Sequence, residues 1–281
     1  MADAATSVGP RIRAWRQTRR LSQFELASRA GFSVRHVSFI ETGRARPSRE
    51  AVLALGEVLD LSLRERNRLL ESAGFAHLFR ETPLSLDEMA HMRGMLQSIL
   101  DRHLPYAAVA VDRHWNCLLS NRAASQFFPT LVSPALNARN NNILRGTFHP
   151  EGSRQWIVNW PEVEWHLLSR AERELNSDED PVGAALLAEL RSYASASTVA
   201  DSHTAPRPGD LLLPIHIRMG DLDLRLFTTI MTLGTPQDVT LQELRIETFS
   251  PPIKNPSVAG SRILRGMRRR PNLRPSVRII L

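Results

Sequence analysis

Apolar positions recur at helical spacing through the first 75 residues, and each run is bounded by residues that start or stop a helix. Pro10 opens a helix through 11–19 that places Ile12 and Trp15 on one face. Ser22 and Glu25 form a capping box for a short helix through Leu26 and Ala27 to Ala30, which Gly31 ends by accepting a left-handed backbone. Ser33 caps a third helix over 34–42 that stops at Gly43. Ser48 caps a fourth, carrying Val52, Leu53, Leu55 and Leu59, and Ser62 with Glu65 boxes a fifth that runs to Gly74. Five short helices over 1–75 predict a small all-α domain.

The helical period lapses over 76–85, around Pro83, which marks a linker. A helix over 86–102 follows, with Met89, Met92, Leu96, Ile99 and Leu100 along one side. That stripe suits either packing on the next domain or a dimer seam. From Tyr106 the period changes to that of strands. Tyr106–Asp112 and His114–Ser120 read as a hairpin turning at Asp112-Arg113, followed by a helix capped by Asn121 and ended at Pro129. Downstream, 211–219 and 222–232 form a second hairpin about Gly220-Asp221, and 241–249 alternates again, with Leu244 and Ile246 against Glu243, Arg245 and Glu247. Helices over 160–175 and 181–193 lie between the two groups of strands, separated by the acidic stretch Asn176–Asp180, read as a solvated loop. The pattern predicts a second, α+β domain over 86–250 with an antiparallel sheet.

The third helix carries the chemistry. At 100° per residue Val37 and Ile40 face the core, while Arg35, Ser38, Phe39 and Thr42 face away. An outward Phe beside an Arg on so short a helix suits docking into a major groove, where Arg reads guanine edges. Arg44 and Arg46 follow at once and can hold phosphates.

Charge supports that division. Residues 1–80 carry fourteen Arg and eight acids, net +6. Residues 81–250 are net −7, and 251–281 are net +8, within a total of +7. A basic head suits a polyanion, and an acidic middle does not. The five prolines of the basic tail predict disorder. One cysteine, Cys117, excludes an internal disulfide and reads as a buried thiol in a reducing cytoplasm. No apolar run reaches membrane-spanning length, and the opening MADAATSVG has no export signal, so a cytoplasmic protein with no membrane partner is expected.

Two resemblances follow. Gln23, Ile40-Glu41-Thr42-Gly43 and the Arg44-x-Arg46-Pro47-Ser48 that follows resemble the Cro/repressor-like helix-turn-helix family called XRE. The resemblance implies that Gln23 and Thr42 contact phosphates of a double-stranded operator. It places Ser33, Val34, Arg35 and Phe39 at base edges and pairs Arg16 with Glu41. The second half, with Y-A-A-V-A-V-D-R-H-W-N leading to N-R-A-A, then N-W-P-E-V and the closing L-G-T-P-Q-D-V-T-L-Q-E-L-R-I-E-T-F, resembles the PAS-like ligand-binding domain of MmyB-like transcription regulators. That implies a small apolar ligand, a fatty acid among the candidates, held between sheet and helices.

Trp156, Trp160 and Trp165 cluster at the entry to the helical section, and with Trp115 and Phe127 they exceed what a small sheet needs. Trp115 and Trp160 are the preferred pocket walls. One short reading helix makes few contacts, so a homodimer on a two-fold operator is expected. His149, His166, His203 and His216 are scattered without metal-ligand spacing, and no nucleophile or phosphate-loop motif occurs, so neither a catalytic site, a metal nor a cofactor is predicted. The alternatives are a second domain that only dimerises, or an enzyme tethered to DNA.

Overall fold

The computed structural model describes residues 7–175, 180–194 and 214–251. In chain order the elements are α1 Val8–Thr18, α2 Gln23–Ala30, α3 Val34–Glu41, α4 Arg49–Val58, α5 Leu63–Ser72, α6 Ala90–Asp101, β1 Ala108–Val111, β2 Cys117–Ser120, α7 Arg122–Phe127, α8 Pro134–Asn137, α9 Ile143–Phe148, α10 Trp160–Leu175, α11 Pro181–Tyr193, β3 Ile215–Met219, β4 Leu222–Thr232, α12 Val239–Glu243 and β5 Arg245–Ser250. They form two compact units. One holds the residues up to Leu86 together with Leu233–Glu243, and the other holds Asp87–Thr232 and the chain from Leu244.

The first unit is built from α1 to α5. Both capping boxes form, and Ser33 and Ser48 each accept a backbone N–H at the start of their helices. Gly31 sits at φ 74°, where a side chain would be strained, and so turns α2 into α3 within three residues. Ile12, Leu26, Val37, Ile40, Leu55, Leu59 and Leu70 are fully buried together. α1 meets α3 closely: a Cβ on Gly9 would stand 2.4 Å from the Ile40 carbonyl oxygen, so only glycine fits there. After α5 the chain is pinned by Asn67, whose amide donates to the Phe79 carbonyl and accepts from the N–H groups of Leu78 and Phe79.

The unit is completed by the connection from β4 to β5. Arg64 on α5 bridges Glu243 on α12 (Nε–Oε1 2.7 Å) and Glu81, while Gln242 accepts from the Leu63 N–H at 2.6 Å. Asp238 accepts from the Thr82 N–H at 3.1 Å, and the Val239 N–H donates to the Arg80 carbonyl. The expected strand over 241–249 is corrected here, since Leu241, Gln242 and Glu243 lie in α12 and the strand begins at Arg245. The Asp238 carboxylate accepting from the Thr240 N–H opens a helical turn there, a local cap that strand alternation cannot register.

The second unit carries a five-stranded antiparallel sheet in the order β2-β1-β5-β4-β3, the PAS-like arrangement. All four β1 residues are buried, so both faces are covered. α6 packs on β1 and β2 and buries Leu96 and Leu100. Val109, Val111 and Phe249 pack against α7, and Ile217 and Leu226 against Phe127, Leu131 and Val163. Helices 160–175 and 181–193 and the long strand 222–232 have the bounds expected of them.

Three expectations are corrected. The first hairpin does not turn on Asp112-Arg113. The turn runs through Asn116, because the Asp112 carboxylate accepts from the N–H groups of both His114 and Asn116 and holds Trp115 at φ 68°. Pro129 does not end helical structure, since a 3-10 turn continues over Phe128–Leu131 with that proline near its start. Asp180 is not part of a solvated loop. Its side chain is buried, caps α11 through the Gly183 N–H, and pairs with Arg113 and His114. Asp178 and Glu179, residues 211–213 and the tail from 252 lie outside the described residues.

Candidate functional sites: a reading helix and an apolar cavity

In the first unit α3 presents the face predicted for it. Ser33, Val34, Arg35 and Thr42 are exposed, as are Arg44 and Arg46, and Ser38 and Phe39 are half-buried. The Arg35 guanidinium lies 5.1 Å and that of Arg44 6.0 Å from the centre of the Phe39 ring, so one half-buried aromatic carries two cations. The Thr42 hydroxyl donates to the Ser38 carbonyl at 2.8 Å, which fixes the end of the helix. Phe24, at the start of α2, is 68% exposed and went unnoticed in the sequence. An apolar residue in the first turn of a short helix carries no periodicity of its own.

Behind that face sits Glu41. Its side chain is 1% exposed and accepts from Arg16 Nε at 2.6 Å, from Arg16 Nη2 at 3.0 Å and from Gln23 Nε2 at 2.8 Å. Arg16 also donates to the Leu21 carbonyl, and its hydrogen bond to Glu41 raises its already high pKa. One carboxylate thus ties α1 and α2 to the end of α3. Gln23, expected at a phosphate, is engaged through its amide nitrogen in this network.

The second unit contains a cavity of about 270 Å³ between the sheet and its helices. Val109, Phe127, Leu131, Ile217, Leu226 and Phe249 form much of its apolar wall. Trp115 and Phe127 border it. Trp156 packs beside it with its indole N–H on the Leu131 carbonyl, and Trp160 fills the neighbouring core edge-on to Phe148. Trp165 is 37% exposed and meets the His166 ring edge-on, away from the cavity.

The polar part of the wall was not foreseen. Arg170 on α10 reaches Glu247 on β5 at 3.0 Å and Glu174 at 2.7 Å, and Glu174 also binds Arg245 and the Trp115 indole N–H. Arg170 and Arg245 flank the Trp115 ring at 4.2 and 4.9 Å. Burial pushes the Glu247 carboxyl above the usual carboxylate range against the pull of Arg170 and Arg245. Burial also acts on Glu174, but its hydrogen bonds and charge contacts with both arginines outweigh it and hold that carboxyl low. Cys117 borders the cavity too, half-buried, its thiol pKa raised by desolvation. In the sequence Glu247 looked like an outward-facing strand residue. That face is covered by α10, which local alternation cannot show.

A helix-turn-helix unit followed by a PAS-like unit with a largely apolar cavity defines a DNA-binding transcription regulator with a ligand-binding domain. The family model for the MmyB-like transcription regulator ligand binding domain matches residues 92–254, and a helix-turn-helix domain model matches 7–69. The chain belongs to the family with the MmyB-like transcription regulator ligand binding domain. No curated protein matches it. Among the described residues no helix is long and apolar enough to cross a membrane.

Proposed function

We propose that the protein binds a two-fold operator as a homodimer and that an apolar small molecule, a fatty acid or one of similar shape, changes its grip on that operator. Ser33, Val34, Arg35, Ser38 and Phe39 meet base edges, while Gln23, Thr42, Arg44 and Arg46 meet phosphates. The observation that carries the ligand reading is the cavity of about 270 Å³ with a largely apolar wall in the second unit. Apolar, concave and largely preformed space is what small-molecule sites offer.

A route for the effect lies along the chain. β5 borders the cavity at Glu247, and only four residues upstream Glu243 is held by Arg64 in the DNA-binding unit. A ligand acts by binding the operator-competent and incompetent forms unequally. The test is native mass spectrometry of gently purified full-length protein, with and without operator duplex. A dimer carrying a lipid-sized adduct supports the proposal. A tight dimer that carries no adduct and takes up no alkyl ligand would instead make the second unit a dimerisation module.

A further inference from the structure

Resting on that reading, we infer that the cavity holds its fatty acid by the carboxylate, on Arg170, and that this carboxylate shares a proton with Glu247, so that binding takes up one proton. Arg170 on α10 and Glu247 on β5 both line the cavity. The guanidinium is already held in place by the protein. Its Nε donates to Glu174 at 2.7 Å, its Nη1 donates to Glu247 at 3.0 Å, and it lies 4.2 Å from the centre of the Trp115 ring. Nη2 has no hydrogen-bond partner among the described residues. A guanidinium held against a ring, with donors left over, is suited to a carboxylate. The apolar wall of Phe127, Ile217 and Leu226 takes the chain.

The proton follows from what stands beside that head. A carboxylate on Nη2 and Glu247 on Nη1 share one guanidinium. Two carboxylates so placed do not both keep their charge, and one proton between them turns repulsion into a hydrogen bond. The charged groups facing Glu247 are Arg170 and Glu174 from α10 and Arg245 from its own strand. Its neighbours across the sheet, Val109 on β1 and Ile230 on β4, carry no charge. Cys117 on β2 also lines the cavity, and burial pushes its thiol up, so it stays uncharged at neutral pH. With the proton taken up, Arg170 and Arg245 stand against Glu174 and the ligand carboxylate, two cations to two anions. Without it a third anion would be present. Burial already pushes the Glu247 carboxyl up, which favours its protonation. Burial works on Glu174 too, but its bonds to both arginines hold that carboxyl low, and it keeps its charge.

The experiment titrates full-length protein with octanoate and methyl octanoate from about pH 6 to about pH 9, following tryptophan fluorescence and calorimetric heat. At about pH 6 octanoate should bind at least about tenfold more tightly than its ester, the scale of one hydrogen bond to a charged group. Its affinity should fall by up to about tenfold per pH unit above the Glu247 pKa of the free protein, while that of the ester stays level. Calorimetry in two buffers of different ionisation heat should then show about one proton taken up per octanoate. Arg170→Gln should weaken octanoate at least about tenfold and change the ester little. Glu247→Gln donates without titrating, so the pH profile should flatten, and at about pH 9 octanoate should bind this variant more tightly than wild type. Circular dichroism reports whether each variant folds, and the comparison of acid with ester on wild type needs neither. An ester that binds wild type as tightly as octanoate, an octanoate affinity that does not change with pH, or a slope that survives in Glu247→Gln would overturn the proposal. If neither ligand binds, the reading of the cavity as an alkyl-ligand site falls with it. If both bind alike at every pH, only the anchor falls.

Discussion

Replacing Glu41 by alanine removes the acceptor that joins three helices. The carboxylate is 1% exposed and takes three hydrogen bonds, two from Arg16 and one from Gln23. Breaking a buried pair by deleting one partner costs about 3–5 kcal/mol, because the surviving charge is stranded. Arg16 is 12% exposed and keeps its bond to the Leu21 carbonyl, so it recovers part of its solvation. That places the cost near the lower end, at about 3 kcal/mol. For a unit of this size such a loss lowers the thermal midpoint by roughly 12–24 °C. Glu41→Gln keeps an acceptor and should lose about half as much. The assay is thermal unfolding of full-length protein followed by circular dichroism at 222 nm, with Arg16→Met and the double variant completing a cycle. A single Glu41→Ala variant whose first transition moves by less than about 3 °C, or a coupling energy near zero, would refute the idea that this pair holds the reading helix in place.

Arg35→Ala should cost about 1–3 kcal/mol on the best operator and blur one base position, whereas Arg44→Ala should weaken all sequences alike and flatten the salt slope by about one unit. Quantitative binding to a duplex library at several salt concentrations separates the two. Arg64→Ala should release α12, which hydrogen exchange would register as faster exchange at Gln242 and Glu243 with little change at Val37 or Ile40. Asp180 gives a pH signature. Burial pushes its carboxyl up, but the Gly183 N–H, His114 and Arg113 outweigh it, so its folded pKa lies below the usual value. The stability this provides is full above the unfolded pKa of about 3.9 and is lost as pH falls through the lower folded value. Asp180→Asn should therefore be weaker than wild type by about 2 kcal/mol at pH 7 and approach it progressively as pH falls below about 3.9, read from urea midpoints; a gap that stays constant with pH would remove Asp180 from the account.

The first unit was legible in the sequence because its signals are local. A capping serine, a glutamate three residues on and a glycine at the end are read without knowing what packs where, and Val37 and Ile40 face inward as the 3.6 period dictates. Arg16 and Glu41 were reached through resemblance, since 25 residues separate them and periodicity does not connect them. In the second unit the long helices and β4 were legible for the same local reasons. The β5 start was not, because a single Asp238 cap diverts 239–243 into a helical turn. Glu247, Arg170 and Asp180 were misjudged or overlooked for one shared reason. A charged residue reads as outward-facing until its partner is known, and each partner lies on a distant element.

The most direct test of the central claim is linkage. Operator recovered by selection from random duplexes is titrated with full-length protein, with and without saturating octanoate, a short fatty acid. Octanoate affinity is then measured with and without saturating operator. If ligand and operator are coupled through the protein, both affinities must change by the same factor. A coupling of 1–3 kcal/mol makes that factor about 5 to 150. Thr228→Phe, which places a ring in the cavity, should abolish the octanoate effect and leave ligand-free operator affinity as it was. Octanoate that binds the cavity tightly while operator affinity stays the same within twofold would contradict the account, and the second unit would then bind a ligand without regulating DNA.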